Sequence, residues 1–299
     1  MATDRISDTS YEPVPEPRDP AVKRAYWKAA FGLQLVDGLA PSPYFTELVQ
    51  DHIEGVRSLA ETGELVRQHY RERNLPPRAP EQEADLVSQR IVELLSSRAF
   101  LLAPDMLSII HRSLFQDLDE NIYQPGRYKE TALMKREFVL NGDSVVYADP
   151  SLVQRSLEFL FDEEQGRSYS VELDDEDLRH FVRFIAKLWQ VHPFVEGNAR
   201  SVAVFAELYL NDLGFDVANE PFESNARYFR DALVRANYRN AKAKIQPDLK
   251  FLEAFFRNLL LQEDNVLSSR DLACSALYEN PLLLRNVDSS EAFTASAPE

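Results

Sequence analysis

His192-Pro193-Phe194-Val195-Glu196-Gly197-Asn198-Ala199-Arg200 puts an imidazole, a carboxylate, a glycine, an amide and a guanidinium into nine consecutive residues. Helical patterns flank it. Before it, Leu178, Phe181, Ile185, Leu188 and Trp189 recur at helical spacing; after it, Val202, Val204, Phe205, Leu208 and Leu210 mark a helix that is apolar nearly all round and hence buried. Gly197 and Asn198 bridge the two helices. Successive backbone N–H groups can therefore point into one concavity at a helix N-terminus, an arrangement that binds anions. Glu196 reaches over the same concavity and suits Mg²⁺ bridging two phosphates. Arg200 supplies positive charge to the phosphates. His192 is a base able to take a proton from an attacking hydroxyl. Phe194 reads as the anchor that packs the loop onto the core. Together these roles point to phosphoryl or nucleotidyl chemistry.

Composition bounds the alternatives. The chain has 299 residues, 44% hydrophobic and 27% charged, enough for one sizeable core plus a smaller unit. A net charge of −16 argues against wrapping nucleic acid or an anionic membrane surface, yet leaves room for a nucleotide held by a local positive site. The single cysteine, Cys274, excludes an intramolecular disulfide and fits a reducing compartment. No signal peptide or membrane-spanning run is evident, so the expected setting is the cytoplasm, of a bacterium, with secretion by an uncleaved route left open. Glycine is scarce and alternating β-branched runs are few, so a mainly α fold is expected.

Outward from the junction the pattern stays helical. Residues 1–20, with four prolines among polar and acidic side chains, read as a mobile arm. Helical stretches then run over 22–35, 44–53 and about 61–70, closed by Pro76, Pro77 and Pro80, so 21–75 form a small helical domain. A larger domain covers 81–262, with helices over 81–98, 103–117, 151–162, 226–238 and 247–262 besides the two at the junction. Residues 263–299 form a tail with at most one short helix. His111 is expected to be a packed or surface helix histidine. Asp174 to Asp177 are expected to cap a helix and not to bind metal. The exception to helicity is 136–148, where β-branched and aromatic residues flank Asn141-Gly142, a hairpin signal with an exposed edge able to pair with another protein.

The junction resembles the His-Pro-Phe-x-Glu-Gly-Asn-x-Arg signature of the Fic (Fic/Doc) family. The similarity extends over about residues 90–262 and includes Gly126-Arg127-Tyr128. The resemblance implies a Fic-fold helical domain with the hairpin as its flap. It implies transfer of a nucleoside monophosphate, usually AMP from ATP, onto a Ser, Thr or Tyr hydroxyl of a target protein held along 136–148. It further implies His192 as general base, Glu196 as the Mg²⁺ ligand, and Gly197, Asn198, Ala199 and Arg200 as phosphate-binding residues. Leu140, Asn141 and Gly142 would lie over the nucleotide, with Tyr228 and Asn237 at its base and ribose. Two positions depart from the family pattern: Ala199 stands where the family has Gly, and Ala203 where it has a second Arg that grips the terminal phosphate. The donor, ATP or another nucleoside triphosphate, and turnover itself are left open by the second departure.

The N-terminal domain resembles the small helical antitoxin of some Fic enzymes. Leu33, Asp37 and Gly38 fall where that antitoxin carries Ser/Thr, Glu and Gly/Asn, which implies a degenerate inhibitory motif, weakened or purely structural. Ser275 to Asn280, with Glu279, matches the inhibitory pattern literally but is loose enough to arise by chance. The expected activity is a Fic-type nucleotidyl transfer. The alternatives are a different phosphate donor, removal of AMP, or a low-turnover nucleotide- or protein-binding regulator. No nucleic acid or membrane partner is expected, and a homodimer is compatible with the sequence.

Overall fold

The computed structural model describes residues 16–35, 37–97, 99–170, 173–215, 217, 220–285 and 292, so most of the expected mobile arm and the end of the tail lie outside it. Among these residues helices dominate: α1 (Pro20–Leu35), α2 (Pro43–Ile53), α3 (Leu59–Arg71), α4 (Pro80–Ser97), α5 (Pro104–Phe115), α6 (Glu120–Tyr123), α7 (Val153–Gln165), α8 (Asp175–Val191), α9 (Asn198–Asp212), α10 (Glu220–Asn237), α11 (Lys250–Leu261) and α12 (Ser275–Glu279). The fold is mainly α, as the periodicity predicts. None of these helices is long and apolar enough to cross a membrane.

Local chemistry sets the helix starts. Ser42 accepts from Phe45 N–H ahead of Pro43, and Ser58 and Glu61 form a reciprocal capping box on α3. Asp174 caps α8 by accepting from Glu176 N–H at 2.9 Å and Asp177 N–H at 2.8 Å, the cap expected of that acidic run. In α10 the expected start at 226 is replaced by an earlier one at Glu220, with non-helical backbone at Asn225 (φ −131°) marking a kink just before that position.

One buried apolar cluster runs from Tyr26 to Leu284, so helices from both ends of the chain share a core. α1 packs on α10 and α4, while α4 and α5 pack on α9. The α1–α10 approach is close at Gly32, where an added Cβ would sit 2.4 Å from the Phe222 carbonyl oxygen. That approach carries the C-terminal end of α1 to the junction between α8 and α9. Buried Asp85 ties α2, α3 and α4 together by accepting from Ser42 N–H, Ser42 O–H and Tyr70 O–H.

Residues 136–148 depart from expectation. The chain does reverse at Asn141-Gly142, with Asn141 left-handed at φ 52° and Gly142 N–H bonded to Glu137 O at 2.9 Å. No strand ladder forms there among the described residues; a short 3₁₀ turn, Phe138–Leu140, takes its place. The physical reason is the C-terminal segment. Cys274 N–H donates to Val139 O at 2.8 Å, Asn141 Nδ2 donates to Leu277 O at 2.9 Å, and the Tyr278 hydroxyl donates to Phe138 O. Tail groups thus take up polar groups that a ladder would otherwise use.

Candidate active site

α8 ends at His192, which adopts left-handed backbone (φ 50°, ψ 59°) and donates its N–H to Trp189 O. A non-glycine residue in that region is strained, and such strain concentrates at functional sites. Here it turns the imidazole onto Tyr147, stacked at 3.8 Å, with the Trp189 ring edge-on at 5.5 Å. His192 is only 8% exposed, and its Nδ1 is buried without a hydrogen-bond partner among the described residues. Burial, followed by the charges of Lys129, Lys135 and Arg230, pushes its pKa down to about 3. The imidazole is therefore a neutral base at physiological pH.

The loop after it is held by its own side chains. Asn198 Oδ1 accepts from Phe194 N–H at 3.0 Å and Asn198 Nδ2 donates to Phe194 O at 2.8 Å, so its amide clasps the loop. Phe194 is fully buried, as an anchor should be, and stacks on His111 at 3.8 Å. His111 is more than packing. Gly126 N–H donates to its Nδ1 at 2.9 Å, which fixes the proton on Nε2, and Nε2 donates to Glu196 O at 3.2 Å. Burial depresses its pKa to about 3 as well. Lys129 adds a brace through Lys129 N–H to Pro193 O at 2.7 Å, and its ammonium pKa is lowered to about 8 by burial.

At Gly197 the backbone is left-handed (φ 70°) and caps α9. An added Cβ would lie 2.3 Å from two atoms of the Phe115 ring, so glycine is required twice over. Ala199 lies within α9 and outside the positive-φ residues, so its methyl needs no left-handed backbone. Glu196 Oε1 accepts from Gly197 N–H at 3.0 Å, and its other oxygen has no protein partner among the described residues.

Arg200 is fully buried, with its guanidinium 4.9 Å over the Phe115 ring. It donates to Gln34 Oε1 at 2.9 Å and Glu83 Oε1 at 2.8 Å, and Asp37 Oδ2 lies 3.4 Å away. The end of α1 thus reaches the first arginine of the junction. Of the residues expected of an inhibitory motif, Asp37 is an ion-pair partner of Arg200 and Leu33 is buried in the core. Ala203 is fully buried.

A cavity of about 270 Å³ opens on this arrangement, lined by His192, Glu196, Gly197, Asn198, Ala199 and Arg200 together with Asp37, Tyr147, Lys135 and Arg230. Lys135 and Arg230 were not legible as site residues. Lys135 Nζ is 3.9 Å from Asp37 Oδ1, and Arg230 pairs with buried Glu137 and with Asp231 at 3.0 Å. The available signal was Arg230 itself, a charge among Ala226, Phe229 and Leu233 on α10.

Five expected residues are not brought to the cavity. Leu140, Asn141 and Gly142 lie under the C-terminal segment, and the cavity is lined instead by Leu133, Met134 and Lys135 from the preceding stretch. Tyr228 is buried with its hydroxyl on Phe251 O at 3.2 Å, and the Asn237 amide donates to Ala186 O and Leu233 O. Helix geometry explains the first: Tyr228 is two positions from Arg230, hence on the opposite face of α10. Glu279 is exposed on α12 and does not line the cavity.

Three histidines, His52, His111 and His192, are buried with lowered pKa, and His111 and His192 contribute most to acid sensitivity. The folded pKa values of these two lie far below the unfolded 6.5, so the unfolded chain binds more protons between about pH 3 and 6.5. Stability is fully present above pH 6.5 and falls below it by up to about 1.4 kcal/mol per pH unit for each histidine. Buried Glu207, raised to about 8, acts in the opposite direction, so the histidine contribution is read by difference: in urea unfolding at pH 7 and pH 5, His111→Gln should lose less stability on acidification than wild type.

Among the described residues no cluster of three His, Cys, Asp or Glu could hold a metal by itself. Glu196 with one free oxygen fits a cation that takes most of its ligands from phosphate and water, as Mg²⁺ does. No curated protein and no solved structure matches the chain. The residues from 101 to 210, which carry His111, Lys129, Tyr147 and the whole His192–Arg200 junction, match the model of the Fic/DOC family, whose members are generally transferases that carry out AMPylation or a related nucleotidyl transfer.

Proposed function

We propose that the chain transfers a nucleoside monophosphate, AMP in the first instance, from a nucleoside triphosphate to a Ser, Thr or Tyr hydroxyl of a target protein. The observation that carries this reading is His192: neutral, with Nδ1 unpartnered, and on the wall of a cavity whose charged lining includes Lys135, Arg200 and Arg230. The target hydroxyl oxygen attacks the α-phosphorus, and a new O–P bond forms as the bond to pyrophosphate breaks. His192 takes the hydroxyl proton. Backbone N–H groups at the start of α9, with the three cations, stabilise the phosphate charge. Glu196 would hold Mg²⁺ against the phosphates, and the ion supplies charge neutralisation there.

In this reading Lys135 and Arg230 compensate for alanine at 203. They supply positive charge from outside α9. Lys135→Gln, an exposed change, should weaken Mg²⁺–nucleotide binding about fivefold, roughly one charge-assisted contact. Asp37→Asn should tighten it by a similar factor, because Lys135 and Arg200 lose an internal competitor. Nucleotide-induced thermal stabilisation checks both. An unchanged affinity in both variants would remove these residues from the phosphate site.

A second reading draws on Arg200. Its guanidinium is occupied by Gln34, Glu83 and Asp37, as in a restrained, low-turnover nucleotide-binding regulator. Binding of nucleotide without transfer to any protein would favour it.

A further inference from the structure

Beside the cavity lies a larger open groove of about 590 Å³, between α7, the C-terminal half of α8 and residues 146–148. Three large apolar side chains line it while remaining exposed: Val146 at 60%, Leu152 at 49% and Phe159 at 60%. Grouped exposed apolar surface of this kind marks an interaction site more often than an accident of composition. The charge of the groove is as distinctive. Arg155 and Lys187 line it and no carboxylate does, in a chain carrying −16 overall. Neither cation has a carboxylate partner among the described residues. Lys187 donates only to the amide oxygens of Gln190 at 2.9 Å and Asn237 at 3.5 Å.

The groove shares a wall with the candidate active site. Tyr147 lines both, with its ring stacked on His192 at 3.8 Å. The backbone here offers less than the side chains: Val146 O already accepts from Gln190 Nε2 at 3.3 Å, and no strand edge is formed.

We infer that this groove docks a segment of the target protein in which an apolar side chain is flanked by Asp or Glu, seated by side-chain contacts and placing a neighbouring hydroxyl beside His192. The inference rests on the nucleotidyl-transfer reading above. The apolar side chain would fill the space bounded by Val146, Leu152 and Phe159, and its acidic neighbours would meet Arg155 and Lys187.

A library of random twelve-residue peptides, displayed and selected against the intact chain, tests this. Wild type should enrich peptides with an apolar residue next to acidic ones. Phe159→Ser should lower that enrichment at least about tenfold, and the Arg155→Glu, Lys187→Glu double variant should switch the flanking preference from acidic to basic. All three positions are exposed, so the fold is retained, and nucleotide-induced stabilisation in each variant verifies the neighbouring cavity. Enrichment of no class, or of one class that both variants leave unchanged, would overturn the inference. So would concentration-dependent self-association abolished by Phe159→Ser, which would assign the groove to a second copy. Loss of nucleotide binding in wild type would instead sink the reading on which the inference rests.

Discussion

Gly197→Ala should unfold the junction. Two costs combine. Alanine at φ 70° pays the left-handed penalty of about 1–2 kcal/mol. Its Cβ would also sit 2.3 Å from the Phe115 ring, and forced overpacking adds about 1–3 kcal/mol. Phe115 is poorly able to yield: it is fully buried, stacks on Tyr123 at 5.6 Å and lies under the Arg200 guanidinium. A fall in melting temperature of roughly 5–15 °C is expected, with loss of nucleotide binding. Gly55→Ala is the control, since Gly55 has a similar φ of 78° but nothing within 4 Å of the added Cβ. It should cost only the conformational part, about 1–2 kcal/mol. Calorimetry of the two variants separates strain from steric overlap, and equal losses would show that the Phe115 contact is unimportant.

His192→Ala should leave the nucleotide bound and lower transfer by about 10²–10⁴-fold, the usual contribution of a positioned general base. The pH dependence is more diagnostic than the loss. With its pKa held near 3, His192 stays unprotonated throughout the working range. The wild-type rate should therefore stay flat from pH 8 to pH 5.5. A histidine at the ordinary 6.5 would lose about tenfold over that interval. Initial rates of label incorporation at nucleotide well below saturation, which report the free enzyme, check this. A tenfold fall by pH 5.5 would mean that the imidazole is more hydrated during catalysis than in this structure.

Much of the fold was legible because apolar residues recur at helical spacing, and nearly every expected helix exists. The junction was legible because its nine residues are contiguous: the helix end at His192, the glycine at 197 and the buried anchor Phe194 need no long-range information. What could not be read came from distant segments. Gln34 and Glu83 reach Arg200 from 166 and 117 residues away, and only the packing of α1 and α4 reveals that. The Asn141-Gly142 turn follows from its own two residues, but its strands are replaced by contacts to residues 274–278, which no local pattern announces. Arg230 and Tyr228 are two residues apart, a difference that on a helix reverses the face presented and that no local pattern decides.

The most direct test is intact-mass analysis of the purified chain with Mg²⁺ and each nucleoside triphosphate in turn, alone and with an acceptor peptide drawn from the groove selection. Wild type should add the mass of one nucleoside monophosphate to itself or to the peptide, and His192→Ala should add none while still being stabilised by nucleotide. A mass gain of equal size in both proteins, or none in either with any nucleotide, would contradict His192-dependent nucleotidyl transfer.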